Sequence, residues 1–407
     1  MYCNDPMSAR QAMCFHLDPQ ISSSLAFVQY PQTFHNVSKN DIYNTPMRTY
    51  INLFEGRKGF GPSDAFLASI YRNQKQIFIE NEAASNTLIE EATVVASCTY
   101  EEHTKWGKQI GFLYKSVVED VLTGMVMHCK GWISLYYNPS RPAFLGTGTT
   151  NLNASLIQTT RWYSGFLQIS FSKFCPLVYQ PFQMSILQTM AYLYLLFLPF
   201  TSFLVLCHST IPQLCLFNGI KLYPKASEPW FAIFVIVYLS SPVQHLIETL
   251  FITGGSRKLF WNEQRISYFT RSTSNLFACL AFLKNLIGMK EIEFSLTDKS
   301  SNDDDEINRY QMDIYNFDVD RKFLLILTTI VILNATSLAV GITRVIIEKT
   351  YNEWFTQIFL SLFITVLNYP LLEGMTIRKD KGGIPVPITL FSISFVICLY
   401  YARTLVL

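Results

Sequence analysis

The apolar positions of the chain are distributed unevenly and divide it near residue 180. Beyond this point, five apolar stretches approach or exceed the roughly 20 residues that a helix needs to cross a bilayer. These stretches are Leu187–Cys207, Trp230–Phe251, Phe323–Ile347, Trp354–Met375 and Val386–Leu405. A sixth stretch, Ile266–Ile287, is interrupted by Arg271, Asn275 and Lys284, which is typical of an amphipathic helix on the membrane surface. The pattern therefore predicts an α-helical transmembrane bundle of about five spans over residues 181–407.

Residues 1–180 are mixed in polarity and contain shorter apolar runs. Leu25–Tyr30 and Ala92–Ser97 have the length and the β-branched or aromatic content of strands. This pattern of mixed polarity with short apolar runs predicts a folded α/β domain ahead of the membrane region.

Lysine and arginine are concentrated in alternate loops of the predicted membrane region. The loop Gly254–Lys322 is rich in both, and the loop after the fourth span carries Arg378, Lys379 and Lys381. The loops on the other side are short and carry few cations. Because positively charged loops stay on the cytosolic side, the α/β domain is predicted to be cytosolic, and the C-terminus is predicted to lie across the membrane.

Composition supports a membrane protein and disfavours two other classes. Half of the 407 residues are hydrophobic and 15% are charged, which is too apolar for an ordinary soluble domain. The net charge of +2 argues against a nucleic-acid-binding protein, which would carry a concentrated basic face. The nine cysteines are scattered without a C-x-x-C pair, so neither a zinc site nor a disulfide framework is predicted.

Two adjacent carboxylates, Glu119 and Asp120, stand at the start of a predicted helix. The helix dipole keeps carboxylates ionised at such a position, and an ionised carboxylate can act as a general base. The same pair also arises as an acidic first turn that caps a helix and does no chemistry. The residues alone leave both interpretations open.

A second group, Gln158, Arg161 and Trp162, forms the pattern Q-x-x-R-W just before the first membrane-length stretch. Arginine offers a planar fork of donors to phosphate oxygens. Tryptophan offers a broad apolar face to a sugar ring, and glutamine can donate to hydroxyls. The group is therefore suited to holding a sugar and a diphosphate, and the alternative is the end of an amphipathic helix without a ligand.

Several motifs follow one another along the chain. They are V-E-D at Val118–Asp120, G-W-x-S-x-Y-Y-N-P at Gly131–Pro139, A-F-L-G at Ala143–Gly146, Q-x-x-R-W at Gln158–Trp162, S-K-x-C-P at Ser172–Pro176, I-P-Q-L-C at Ile211–Cys215, W-N-E-Q-R at Trp261–Arg265 and G-M-T-I-R-K-D-K at Gly374–Lys381. This series resembles the C-terminal half of the plant cellulose synthase superfamily. The residues of these motifs are most similar to those of cellulose synthase-like proteins of the G type, and next to those of the E type.

Members of this superfamily are inverting, family 2 glycosyltransferases that join a glycosyltransferase A-type α/β domain to membrane helices. The resemblance implies that residues 1–180 are the C-terminal part of such a cytosolic domain. It also implies a reaction in which an acceptor hydroxyl attacks the anomeric carbon of a UDP-sugar and displaces the diphosphate. Asp120 falls on the family's general base, and Glu119 would orient that base or contact the acceptor. Val118 replaces the family's threonine.

The resemblance places Gln158, Arg161 and Trp162 on a surface helix that binds the diphosphate and stacks on the acceptor at the mouth of a membrane channel. These are the substrate-binding residues of the family.

A gating loop is implied by Phe294, Thr297 and Lys299, which match the family's F-x-V-T-x-K pattern with Leu296 in place of valine. In the family such a loop closes over the bound UDP-sugar and excludes water. A plain surface linker is the alternative for this segment.

The donor half of the family carries an aspartate that holds the uracil and an Asp-x-Asp that binds a divalent cation, Mn²⁺ or Mg²⁺. In G-type relatives the Asp-x-Asp runs directly into the sequence that here is Met1–Asp5. These metal ligands and the family's N-terminal anchors are therefore not expected in this chain. The segment Gly61–Phe66 lacks a Gly-Thr pair of the family, so an altered acceptor region is expected.

The implied partners are a UDP-sugar carrying glucose or glucuronic acid, a glucan or triterpenoid acceptor, the lipid bilayer, and related synthases in a homo- or hetero-oligomer. No nucleic acid is expected. The resemblance implies synthesis of cell-wall-type polysaccharide or glycoside in the endomembrane system (Golgi or endoplasmic reticulum) or at the plasma membrane.

Two other interpretations stay open. One is a truncated, catalytically inactive remnant or a partner subunit of a full-length relative. The other is a transporter, but the ionisable groups within the predicted spans, His245, Glu248, Arg344 and Glu373, lie toward span ends, which disfavours an ion carrier.

Overall fold

The computed structural model describes residues 2–38, 41–43, 117–179, 183–252, 256–289 and 304–402. The strand predicted at Ala92–Ser97, the segment Gly61–Phe66 and the gating-loop residues Phe294, Thr297 and Lys299 lie outside these ranges. The chain divides into two compact units, one drawn from residues 1–33, 49–146 and 168–196 and the other from residues 34–48, 147–167 and 197–407. The domain boundary predicted near residue 180 stays a prediction.

The described residues up to 146 contain five strands and two helices. In chain order these are β1 (Tyr2–Cys3), α1 (Ser8–Leu17), β2 (Leu25–Gln29), β3 (Gln32–Phe34), α2 (Glu119–Cys129), β4 (Ile133–Tyr136) and β5 (Phe144–Gly146). Strands β2 and β4 pair in parallel, and a second sheet has the order β1-β5-β3. The strand predicted at Leu25–Tyr30 is confirmed by β2, which is buried along most of its length.

Helix α2 ends in a motif that explains the Gly-Trp pair of the sequence. The N–H of Trp132 donates to the carbonyl of Met127 at 3.1 Å, and Gly131 has φ +82°. This is a Schellman ending, in which the left-handed residue is glycine because a Cβ would be strained there. The Trp132 ring then packs on Met127 and Phe27. The motif therefore ties α2 to strand β2.

The A-F-L-G motif pairs with the first residues of the chain through strands β1 and β5. Tyr2 and Cys3 lie opposite Leu145 and Phe144 in an antiparallel register. The side-chain amide of Asn4 extends the contact by donating to the carbonyl of Pro142 at 2.8 Å.

From residue 147 onward the described structure is helical apart from its connecting segments. The helices are α3 (Leu152–Ser170), α4 (Ile186–Phe197), α5 (Thr201–Phe217), α6 (Pro229–Ile247), α7 (Arg257–Ser272), α8 (Ser274–Leu286), α9 (Asp304–Gln311), α10 (Arg321–Glu348), α11 (Tyr351–Leu367), α12 (Tyr369–Thr376) and α13 (Val386–Ala402).

Three of the five predicted spans correspond to helices long and apolar enough to cross a membrane. They are Ile186–Phe217, in which a 3₁₀ turn joins α4 to α5, Pro229–Phe251, in which a π-helical turn extends α6, and Arg321–Glu348. At the fifth predicted span the structure has α13, an apolar helix that is shorter than a full span, so this span is not confirmed. The described residues thus support three spans, or four if the bent pair α11 and α12 is one, and five spans are not confirmed.

The fourth predicted span is broken. Helices α11 and α12 are bent by 63° relative to each other, so the prediction of one helix over Trp354–Met375 is wrong. Pro370 lies in the first turn of α12, where it has no N–H to continue the preceding helix and restricts the backbone of Tyr369. Asn368 sits at the bend, and its side-chain amide donates to the carbonyl of Ile364 at 2.7 Å.

The predicted surface helix is two helices. Helix α7 begins before the predicted start, because Ser256 caps it by accepting from the N–H of Leu259 at 3.0 Å. It ends at Ser272, and Thr273, whose hydroxyl donates to the carbonyl of Phe269 at 2.6 Å, separates it from α8. That this pair lies on the membrane surface stays a prediction.

Helices α5, α10 and α11 cross closely at Gly341. A Cβ on this glycine would lie 2.8 Å from Cδ2 of Leu216 and 3.0 Å from Cγ1 of Ile358. A residue without a side chain lets the three backbones approach, as is common between membrane helices.

Candidate functional site

The candidate base lies in the first turn of α2. The helix is held by buried apolar residues on both sides of the carboxylates, Val118, Val121 and Leu122. Glu119 is half-buried and Asp120 is exposed. Asp120 Oδ1 accepts from the N–H of Val121 at 2.8 Å. The carboxylate therefore sits at the positive end of a helix, and it is exposed with respect to the part of the chain that the structure describes.

The surroundings strengthen Asp120 as a proton acceptor. Although its side chain reaches solvent, desolvation by the protein around it raises its pKa above the ordinary value. The neighbouring charge of Glu119 raises the pKa further, and the hydrogen bond from Val121 opposes both effects. A carboxylate with a raised pKa takes up a proton more readily, which is the property that a general base needs.

A buried histidine that we did not single out from the sequence fixes the other end of α2. His128 contacts the Tyr192 hydroxyl through Nδ1 at 2.7 Å and the Ser134 hydroxyl through Nε2 at 3.1 Å. Burial lowers its pKa to about 4, so the ring is neutral at physiological pH and can accept one bond while donating the other. In the sequence, the available signal for this residue was a histidine within an apolar helix. His128 positions the helix that carries Asp120.

The Q-x-x-R-W residues share one face of α3, because positions i, i+3 and i+4 are neighbours on a helix. Gln158 is buried, and Arg161 and Trp162 are half-buried. Desolvation lowers the pKa of Arg161, but a guanidinium remains charged in proteins. Its charge is therefore less screened by water than that of a surface arginine, which strengthens its attraction for an anion.

The start of α3 is anchored by polar contacts that fix the rotation of the helix. Asn151 Oδ1 accepts from the N–H of Ala154 at 3.1 Å, as an N-cap. The Asn151 amide donates to Glu306 Oε1, which also accepts from Asn316 at 3.1 Å. Ser155 donates to the carbonyl of Tyr43 at 2.9 Å. Because the first turns are held, the face with Arg161 has a set direction.

Apolar packing completes the anchoring of α3. Leu152 and Leu156 are fully buried and belong to one large core. That core includes residues from α7, α10, α12 and the segment before α10, among them Ile266, Phe269, Tyr315, Phe317, Phe323, Leu324, Leu327 and Leu371.

The predicted site residues are divided between the two units. Glu119 and Asp120 belong to the first unit, and Gln158, Arg161 and Trp162 belong to the second. That these groups act on one substrate is a proposal.

The W-N-E-Q-R motif is a structural junction within the second unit. Glu263 pairs with Nε2 of His245 at 2.9 Å, and Gln264 contacts Nδ1 of the same ring at 2.6 Å. Arg265 Nε donates to the carbonyl of Leu367 at 2.7 Å. Its guanidinium also lies 5.7 Å from the centre of the Tyr315 ring. The motif therefore joins α7 to the end of α6 and to the bend after α11.

Replacing Arg265 with lysine is expected to lower the thermal unfolding temperature of the chain in detergent micelles. Lysine keeps the charge, but it lacks the planar group that donates to the Leu367 carbonyl and lies against the Tyr315 ring at the same time. The lost charged hydrogen bond is worth about 1.5–3 kcal/mol. Arg257, exposed in the first turn of the same helix, provides the matched control, and equal shifts for Arg265→Lys and Arg257→Lys would contradict the assignment.

Among the described residues, no group of three or more His, Cys, Asp or Glu side chains could hold a metal ion. The divalent cation of the family therefore has no fitting donor set in this part of the chain.

These features belong to a known class of protein. A sequence model described as cellulose synthase matches residues 1–55 and 46–405. The chain therefore belongs to the cellulose synthase family, and the resemblance of its motifs is confirmed.

Three relatives illustrate the relationship. The chain is 36% identical to a quillaic acid 3-O-glycosyltransferase from Saponaria officinalis, over 94% of its own length and 60% of the relative's. It is 35% identical to cellulose synthase-like protein E2 from Oryza sativa subsp. japonica, over 98% and 56% of the two lengths. It is 36% identical to the UDP-forming cellulose synthase A catalytic subunit 4 from Arabidopsis thaliana, over 83% and 32%. The chain thus spans less than two thirds of each of these relatives.

Proposed function

We propose that this chain carries the acceptor-side chemistry of a membrane-bound inverting glycosyltransferase. The observation that carries the proposal is Asp120, a solvent-reaching carboxylate with a raised pKa at a helix N-terminus. The names of the relatives supply the reaction class, since they include a glycosyltransferase and a UDP-forming synthase. The donor is then a UDP-sugar, carrying glucose or glucuronic acid.

In the proposed step, the acceptor hydroxyl gives its proton to Asp120 Oδ2 as its oxygen attacks the anomeric carbon. The bond from that carbon to the diphosphate oxygen breaks, and UDP leaves with the bonding electrons. The products are the inverted glycoside, UDP and a proton held on Asp120. Glu119 keeps the pKa of Asp120 raised through its charge.

Arg161 and Trp162 are proposed to act on the leaving group and the acceptor, respectively. Arg161 would pair with the negative charge that builds on the diphosphate, and a partly desolvated guanidinium is suited to this. Trp162, one residue further along α3, would stack on the acceptor ring. Gln158 would orient a hydroxyl from the same helical face.

The acceptor is proposed to be either a triterpenoid or a glucan chain. The first follows from the relative named for quillaic acid, and the second follows from the cellulose synthases. Either acceptor is compatible with a membrane enzyme, and the apolar helices long enough to span a bilayer support a membrane location. An endomembrane location, in the Golgi or endoplasmic reticulum, is proposed on the same basis.

The test is a transfer assay with membranes that contain the chain. UDP-glucose and UDP-glucuronic acid are each supplied with quillaic acid or a cello-oligosaccharide, in buffer containing Mg²⁺ and Mn²⁺, and products are identified by mass spectrometry. We expect a glycoside that is absent from membranes without the chain. If neither donor yields product with either acceptor above that background, the proposal is wrong and the non-catalytic interpretation is preferred.

A further inference from the structure

Three buried polar side chains of the helical bundle have no hydrogen-bond partner among the described residues. They are Gln213 on α5, Ser337 on α10 and Ser361 on α11, all with 0% exposure. Both amide atoms of Gln213 and both hydroxyl oxygens are unpaired. An unpaired buried polar group costs about 1–3 kcal/mol, so each such group in a packed bundle needs an explanation.

The register of α5 and α10 follows from two contacts. Asn334 on α10 donates to the carbonyl of Ser209 on α5 at 3.0 Å. Seven residues further along each helix, a Cβ on Gly341 would touch Leu216. Equal steps on both helices mean that they run parallel, so Gln213 lies level with Ser337, one turn before the Gly341 crossing.

Helix α11 runs in the opposite direction through the same crossing. Ile358 contacts the Gly341 position, and Trp354, earlier in α11, packs with Val345, later in α10. Ser361, three residues after Ile358, therefore lies on the same side of the crossing as Ser337. The polar groups of Gln213, Ser337 and Ser361 are thus brought to one level by three different helices.

Neighbouring hydroxyls show that the two serines are exceptional. The hydroxyls of Thr336, Thr343 and Thr365 each donate to the carbonyl four residues earlier, at 2.7, 2.9 and 2.7 Å. This bond is the usual arrangement for a hydroxyl on an apolar helix. Ser337 and Ser361 do not make it and are left available for another partner.

The polar column continues toward α7. Asn334, one turn before Ser337, also has an unpaired Oδ1, although its amide nitrogen donates to the carbonyls of Ser209 and Ile330. The Ser209 hydroxyl lies 2.6 Å from the Tyr268 hydroxyl. Pro212 within α5 has no N–H to give to the carbonyl of His208. Acceptors and donors therefore follow one another along the inside of the bundle.

We propose that Gln213, Ser337 and Ser361, with Oδ1 of Asn334, form an internal water-binding site between α5, α10 and α11. Water fits the chemistry, because the four side chains offer both donors and acceptors and carry no charge. The site is separate from the proposed transfer chemistry and does not depend on it.

A first test measures magnetisation transfer from water to the labelled chain in lipid bilayers by solid-state NMR. Transfer to the Gln213 side chain is expected early, and transfer to Gly341, one turn away and tightly packed, is expected late. The Gln213 signal is identified by its loss in Gln213→Met. Equally late transfer at both positions would overturn the proposal.

A second test is a thermal double-mutant cycle in detergent micelles. Gln213→Met nearly preserves volume, and Ser361→Ala removes one hydroxyl. If the two side chains share water, each substitution lowers the unfolding temperature, and the double variant falls by less than the sum of the single shifts. Gln213→Met combined with Thr336→Ala serves as control and is expected to be additive. A rise in unfolding temperature for Gln213→Met, or additivity with Ser361→Ala, would mean that the groups are simply unpaired and dry.

Discussion

Replacing Asp120 with asparagine is expected to lower the rate of sugar transfer by about 10²- to 10⁴-fold, the contribution of a positioned general base. Asparagine keeps the shape of the side chain and an oxygen that can accept the Val121 N–H bond, which measures 2.8 Å. Helix α2 should therefore form as before. The measurement is the initial rate of glycoside formation at matched amounts of membrane protein.

Two controls separate chemistry from folding for Asp120. Glu119→Gln removes the neighbouring charge but not the base, so a smaller loss of rate is expected. Desolvation raises the pKa of Asp120 in the folded chain, so its ionisation disfavours the folded state. The contribution of Asp120 to the free energy of unfolding is most favourable at pH values below its pKa in the unfolded chain. This contribution is lost as the pH rises through its pKa in the folded chain. At neutral pH, Asp120→Asn should thus leave the unfolding temperature unchanged or raised.

The same shift gives the pH dependence of the rate. Transfer requires the ionised form of Asp120, so the rate should fall as pH drops through its pKa. Because that pKa is raised, the fall is expected at a higher pH than for an ordinary aspartate. Retained transfer in Asp120→Asn, or a rate independent of pH across the acidic range, would remove Asp120 from the role of base.

Replacing Arg161 with glutamine is expected to lower kcat/KM for the UDP-sugar by about 10- to 100-fold. This range corresponds to the roughly 1.5–3 kcal/mol of a hydrogen bond to a charged group, converted at about 1.4 kcal/mol for each factor of ten. Inhibition by added UDP should weaken in parallel, because the same guanidinium would hold the product. Rates and UDP inhibition are measured on the same membranes.

Lysine at position 161 distinguishes charge from geometry. Arg161→Lys keeps a cation but loses the planar fork, so an intermediate loss is expected. Thr159→Val provides a control on the same helix, since the Thr159 hydroxyl donates a hydrogen bond to the carbonyl of Ser155 at 2.8 Å. If Arg161→Gln changes kcat/KM no more than Thr159→Val, α3 does not bind the diphosphate.

The pattern of apolar residues by itself determined that the chain has membrane-length helices, and the order of its motifs determined the family. Three spans were located from the pattern, although the first continues beyond its predicted end to Phe217. About 20 apolar residues are enough for a helix to cross a bilayer, whatever packs beside them. The first turn of α2 was predicted from a different local signal, because adjacent carboxylates favour a helix N-terminus.

Breaks within apolar segments were missed, because hydropathy does not register a change of direction. The bend between α11 and α12 occurs at Pro370, and Leu367 at this bend accepts from Arg265, which lies 102 positions away in the sequence. The separation of α7 from α8 at Thr273 was hidden for the same reason.

The tertiary structure alone decided which polar groups meet. Glu306 belongs to a run of four acids in the sequence, Asp303–Glu306, and in the structure it accepts from Asn151 and Asn316 and anchors α3. Gln213, Ser337 and Ser361 are unremarkable within their own apolar segments. Their convergence follows from the crossing at Gly341, where α5 meets the consecutive helices α10 and α11 and the three set a common register. Sequence periodicity reports which face of a helix is buried, but hydrogen-bond pairing depends on rotation and height between helices, which packing alone determines.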